Sequence, residues 1–178
     1  MAHIDEFKSW AETIRGDIEA FKALLESATA DARSRELAGG ALQYLVSKMD
    51  LIPDWNEGIG VIDDVMILRV AAKLAQDHAK GELPGSAEAA LERLTNESES
   101  IDKFLGGPVS DRLRAYTAKL GETKVRNRTP AQLIEDPALR AVLYKELEEE
   151  LAKNVPIVIS DPADAELRLK AYLTHKLS

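Results

Sequence analysis

The sequence contains no cysteine. A disulfide framework, a thiolate zinc centre and a thiol nucleophile are therefore all excluded. Long apolar runs are also missing. The longest uncharged stretch of the apolar half covers 37–47 and is interrupted by Gly39, Gly40 and Gln43. A membrane-spanning helix needs about 20 mostly apolar residues, so none is expected. Asp5, Glu6 and Lys8 precede any apolar run, which argues against a secretory signal. The sequence opens Met-Ala and closes on Ser without a lipidation box. The expected location is cytoplasmic. There is no excess of positive charge either: 23 Lys and Arg stand against 31 Asp and Glu, a net charge of −8. A general electrostatic footprint for nucleic acid is thus absent.

The usual constellations of catalysis are missing too. His3, His78 and His175 are scattered, and no His-x-x-x-His pair exists to hold a catalytic zinc. Ser47 and Ser110 have no adjacent histidine to activate them. No Gly-x-x-x-x-Gly-Lys loop occurs, and Gly58-x-Gly60 follows no strand, so neither phosphate-binding fingerprint is present. The expectation is a non-catalytic protein.

What is present is helical periodicity over 178 residues, a length suited to one domain or one core with an appendage. Ile4, Phe7, Trp10, Ile14, Ile18, Phe21 and Leu25 recur every three or four residues. They form one stripe of a long first helix, with Gly16 as the site of a kink. A second helix is expected over 31–48, capped by Asp31, and a third over 62–80. Arg69, Lys73, Gln76 and Lys80 form a polar stripe on the third. Ser86 and Ser110 are read as caps of the fourth and fifth helices, with Gly121 ending the fifth. Thr129-Pro130, Asp136-Pro137 and Asp161-Pro162 each open a further helix. Residues 155–159 are β-branched and could be extended. The fold class is all-α: a helical bundle with a central helix–break–helix hairpin. Residues 1–105 form an acidic core and 106–178 a C-terminal helical subdomain packed on it. The acidity is local, since 1–90 carry 9 basic and 16 acidic residues and 91–178 carry 14 and 15.

The densest acidity lies in the break. Asp50, Asp54, Glu57, Asp63 and Asp64 fall among Leu51, Ile52, Trp55, Ile59, Val61 and Ile62. Carboxylates drawn toward an apolar interior need partners. One reading is a hard cation, Mg2+, Mn2+ or Ca2+, bound by Asp50, Asp54, Asp63 and Asp64. The spacing is not that of an EF-hand. The other reading is structural. Asp50 caps a turn opened by Pro53, Asp63 and Asp64 sit favourably at a helix N-terminus, and Asp54 pairs with Lys48 or Arg69.

The residues of this segment carry a resemblance. Tyr44-Leu45, Ser47, Asp50-Leu51-Ile52-Pro53-Asp54, then Gly60 and Asp63-Asp64 before an apolar helix, resemble the YkvA-like family of bacterial proteins, a domain of unknown function. The resemblance covers 44–76 and implies an α-helical hairpin module without an assigned activity. Lys48 stands where the family commonly has Pro, and Asn56-Glu57 where it has an apolar pair. Many members look membrane-associated through that hairpin. The polar residues here argue against peripheral membrane attachment.

Arg112, Arg114, Lys119, Lys124, Arg126 and Arg128 make a basic patch opposed only by Glu122. It suits docking of the acidic first half of this chain, or of a second copy, better than nucleic acid. Trp10 and Trp55 read as core or interface anchors. Gly39-Gly40 reads as a close helix contact, and Glu146, Glu148, Glu149 and Glu150 as a solvated face. The functional expectation is an interaction or regulatory module, acting on a protein partner or as a homodimer. The alternative is a divalent-metal protein hydrolysing a phosphoester through the aspartate cluster.

Overall fold

A computed structural model describes residues 3–47, 51–52, 59–153 and 157–178. The 3.6-residue spacing is realised as α1 (His3–Trp10), a 3-10 turn (Ala11–Thr13), α2 (Ile14–Glu26), α3 (Ala32–Val46) and α4 (Ile62–Gln76). These are followed by α5 (Gly85–Leu105), α6 (Gly107–Leu120), α7 (Pro130–Glu135), α8 (Pro137–Ala152) and α9 (Pro162–Lys176). No strand occurs among the described residues, only an isolated bridge between Val125 and Arg128. The fold is all-α. Residues 157–159 are not in a strand, and 155–156 lie outside the described residues.

The caps that rest on a side-chain oxygen are present. Asp31, Thr129, Asp136 and Asp161 each accept a backbone N–H of the helix they open, and Thr129 forms a full capping box with Gln132. Two expected caps are displaced. α5 begins at Gly85, one residue before Ser86. α6 begins at Gly107, so Ser110 lies inside it, and the Ser110 hydroxyl donates to Asp102. The first helix breaks at Ala11–Thr13 and not at Gly16. The Thr13 hydroxyl accounts for this: it lies 3.2 Å from the Trp10 carbonyl oxygen and 2.9 Å from Asp17 Oδ2. A threonine that bonds local backbone competes with the helix ladder. α4 stops at Gln76, which leaves Lys80 outside it.

α4 lies between α3 and α5, and α3 also meets α2, α6, α7 and α8. α4 is apolar on nearly its whole circumference, with Ile62, Val65, Met66, Ile67, Leu68, Val70, Ala71, Ala72 and Ala75 all buried. A helix hydrophobic all round belongs in a core. The glycine pair of α3 permits its close contacts. A Cβ on Gly39 would lie 3.3 Å from Pro130 Cβ, and one on Gly40 would lie 2.3 Å from the Leu120 carbonyl oxygen.

Candidate functional site

Three clusters of polar side chains lie in or against the core. The first is at the inner end of the helix–break–helix segment. α3 places Tyr44 there, 1% exposed, and the first turn of α4 supplies Asp63, also 1% exposed. The Tyr44 hydroxyl donates to Asp63 Oδ2 and accepts the Leu51 N–H at 2.8 Å. Tyr116 of α6 meets the Tyr44 ring edge-on, with centroids 6.2 Å apart. Burial, and then the charges of Asp63 and Asp64, push the Tyr44 phenol well above its ordinary value. Tyr44 is thus a fixed neutral donor to a buried carboxylate. Of the four aspartates read as metal ligands, Asp63 and Asp64 sit together on this first turn. Asp50 and Asp54 lie outside the described residues, as do Lys48, Trp55, Asn56 and Glu57. Tyr44→Phe is expected to lower stability by about 1.5–3 kcal/mol, the value of a hydrogen bond to a charged group. Urea denaturation of the two proteins measures it.

The second cluster was not anticipated. Arg69, expected on a polar stripe, is fully buried, and so is Asp17. Arg69 Nε donates to Glu97 Oε2 at 2.8 Å, and Arg69 Nη1 donates to the Val65 carbonyl at 3.0 Å. Arg69 Nη2 lies 2.7 Å from Glu97 Oε2 and 3.9 Å from Asp17 Oδ2. Arg93 closes the circuit by donating to Asp17 Oδ1 and, at 3.0 Å, to Glu97 Oε1. The Trp10 ring covers the Arg69 guanidinium at 4.1 Å. Burial pushes Arg69 below its usual value, against Glu97 and Asp17, which favour its charged form. The members come from α2, α4 and α5, so the network ties three helices. Above it runs an open groove of about 480 Å3, lined by Glu6 of α1 and by Ala89, Glu92, Arg93, Asn96, Glu97 and Ser100 of α5. One signal could have exposed this cluster. Arg69 interrupts Val65-Met-Ile-Leu and Val-Ala-Ala72, and a cation inside such a run has no solvent face to use.

The third cluster absorbs part of the basic patch. Residues 125–128 form a tight turn with paired bonds of 2.9 and 3.0 Å between Val125 and Arg128. Arg126 and Asn127 at its centre have φ of 50° and 65°, the pattern of a type I′ turn. The turn directs Arg126 Nη2 to the Val46 carbonyl at 3.0 Å, at the end of α3. Arg128, 3% exposed, donates through Nε to Gln43 Oε1 at 2.8 Å. Both arginines meet Glu146, which is therefore no part of a solvated face: its side chain is only 17% exposed. Arg114 instead pairs with Asp102 and Asp111. The patch thus divides. Its link to the first half of the chain runs through Gln43 and a backbone carbonyl, and its carboxylate partners come from 102–146.

Burial raises the Glu146 carboxyl, but hydrogen bonds from Arg128 and Arg126 outweigh it and hold the group below the usual range. A carboxyl depressed in the folded state contributes stability that is present above its unfolded value and lost as pH falls through the folded one. Stability is therefore expected to decline below about pH 4.3, the ordinary glutamate range. Glu146→Gln should flatten that part of the decline, measured as urea midpoints between pH 6 and 3.

The apolar anchors fall as expected where they are described. Trp10 is 5% exposed, and His3 lies against Phe7 and Phe104 with centroids 5.9 and 5.5 Å away. No helix among the described residues is long and apolar enough to cross a membrane.

A family model described as a protein of unknown function (DUF1232) matches residues 35–69. The match begins in α3 and ends within α4, so it covers the two helices that flank the break. No curated protein and no solved structure matches the chain.

Proposed function

We propose that this chain is a non-catalytic interaction or regulatory module of the YkvA-like kind, with the helix–break–helix segment as its recognisable part. Residues 1–105 form its core unit and 106–178 a helical subdomain packed on that unit. The observation that supports this reading is how the buried polar side chains are used. Arg69 is held by Glu97 and Asp17, Arg128 by Gln43 and Glu146, and Tyr44 holds Asp63. These groups tie helices together, whereas catalytic acids, bases and nucleophiles face a cavity where a reacting atom can sit. The ligand class of such a module is a partner protein or a second copy. A panel of phosphomonoester, phosphodiester and acyl ester substrates, with and without divalent cations, tests it. No turnover is expected. Reproducible turnover abolished by Asp54→Asn would sink the reading.

A second reading is a divalent-cation site at Asp50, Asp54, Asp63 and Asp64, with phosphoester hydrolysis as its associated chemistry. It is favoured by one feature: the first turn of α4 carries Asp63 and Asp64 together, and Asp63 is buried there. Mg2+, Mn2+ or Ca2+ would then raise the melting temperature by mass action, and Asp63→Asn would remove that shift. Absence of any shift at millimolar cation eliminates it.

A further inference from the structure

Helices α1 and α9 hold each other. α1 has 8 residues, fewer than the roughly 12–15 at which an isolated helix becomes even marginal. The 3-10 turn Ala11–Thr13 separates it from α2. Its first N–H groups have no partner within the helix. One of them, the Ile4 N–H, donates to Glu166 Oε1 of α9 at 3.0 Å, which sets a carboxylate at the end of α1 where negative charge is favoured. α9 in turn packs on α1 and reaches α5 through Lys170 Nζ, 5.9 Å from the Phe104 ring centre. α9 and α4 both have 15 residues, but α9 buries Ala165, Leu169 and Leu173, whereas α4 is apolar and buried on nearly its whole circumference. Sparse apolar burial is the mark of a segment that opens below the global unfolding free energy.

We infer that α1 and α9 form one strap, which opens as a unit while the rest of the bundle stays folded, and that its opening uncovers the buried Arg69 network. A run of ring contacts joins α9 to the roof of that network. Lys170 lies over Phe104, and the Phe104 ring meets His3 and Phe7 with centroids 5.5 and 5.2 Å away. Phe7 meets Trp10 at 4.8 Å, and Trp10 covers the Arg69 guanidinium at 4.1 Å. α1 also supplies Glu6, which accepts the Ser100 hydroxyl at 2.7 Å and lines the groove above the network. Arg69, Asp17, Glu97 and Arg93 themselves belong to α2, α4 and α5. α5 packs directly on both α2 and α4, so the ion pairs keep their scaffold when α1 and α9 leave. What changes is the cover: the side closed by Trp10 and Glu6 becomes open to solvent. The strap is a conformational device and goes beyond the interaction-module reading.

Native-state hydrogen exchange of the full chain in low urea tests this. The protected amides of 7–10 and 169–173 are expected to converge on one urea dependence, exchanging at least about tenfold faster than those of 68–72 in α4. Leu169→Asp puts a charge at a fully buried position of α9 and is expected to strip protection from α9 and α1 together while α4 stays protected. In that variant Arg69 is expected to react with phenylglyoxal at least about tenfold faster than in the wild type, whereas Arg15, 62% exposed, reacts alike in both. α1 amides that exchange with those of α4, or that stay protected in Leu169→Asp, overturn the inference. Loss of α4 protection in that variant overturns it as well, because the bundle then depends on the strap. Equal Arg69 reactivity in the two proteins overturns the uncovering of the network. None of these readouts bears on turnover, so the interaction-module reading stands or falls separately.

Discussion

Arg69→Met is expected to lower the unfolding free energy by about 3–5 kcal/mol, the usual cost of removing one partner from a buried ion pair. That is a large share of the roughly 5–15 kcal/mol available to a typical domain. The cost comes from what remains. Asp17 is fully buried, and the Glu97 side chain is 22% exposed. Without Arg69, Asp17 keeps Arg93 and the Thr13 hydroxyl, and Glu97 keeps Arg93, whose own side chain is 38% exposed. The Trp10 ring also loses the cation it covers. The pair Arg15–Glu148 provides the contrast. It has a comparable contact of 3.0 Å, but its side chains are 62% and 54% exposed. Arg15→Ala should cost no more than about 1 kcal/mol. Urea denaturation of both variants separates burial from pairing. A double-mutant cycle extends the comparison. Asp17→Asn should be less costly in the Arg69→Met background than in the wild type, because the two share one network. A loss below 1 kcal/mol for Arg69→Met would mean that Asp17 and Glu97 find other partners.

Gly40→Val is expected to be at least as damaging, for a steric reason. A Cβ at Gly40 would lie 2.3 Å from the Leu120 carbonyl oxygen, 2.4 Å from its carbon and 2.8 Å from the Gly121 nitrogen. All three are backbone atoms at the end of α6, so no side chain can rotate away. Either α3 and α6 move apart or the residues between them repack, which typically costs 1–3 kcal/mol and more where backbone must shift. Even Gly40→Ala should be destabilising. Gly39→Ala should cost less, since its nearest neighbours are side-chain atoms at 3.3 and 3.4 Å. Gly16 has nothing within 4 Å of its Cβ position and lies on the exposed side of α2. There Gly→Ala should stabilise by roughly 0.5–1 kcal/mol through helix propensity alone. The order of thermal midpoints, with Gly16→Ala highest and Gly40→Val lowest, checks the argument within one experiment.

The same glycine pair shows how far local reasoning reaches. Small residues flanked by Ala38 and Ala41 announce a close helix contact, and the contact exists. They do not say that the partner of Gly40 is the end of α6 while that of Gly39 is Pro130 in α7. Caps behave similarly. Asp31, Thr129, Asp136 and Asp161 were legible because a capping oxygen acts within two or three residues of its own position. Ser86 and Ser110 have the same chemistry but not the same role, because Ser110 is taken by Asp102 of the preceding helix. In the break, the pairing of Asp63 with Tyr44 joins two residues of the recognised motif, 19 positions apart. The acidic pattern marked the place. The donor became visible only when α3 and α4 were set side by side.

The sequence alone determined that the fold is all-α and where most of its helices begin. Periodicity and capping are properties of a few consecutive residues, so they can be read along a line. Tertiary structure decided which charges are inside. Arg69 falls on a stripe shared with Lys73 and Gln76, yet α5 covers it and supplies Glu97, while α2 supplies Asp17. Glu146 falls among exposed glutamates, yet the turn at 125–128 carries two arginines to it. A charge is buried or solvated by what packs over it, and that neighbour lies tens of residues away in the chain.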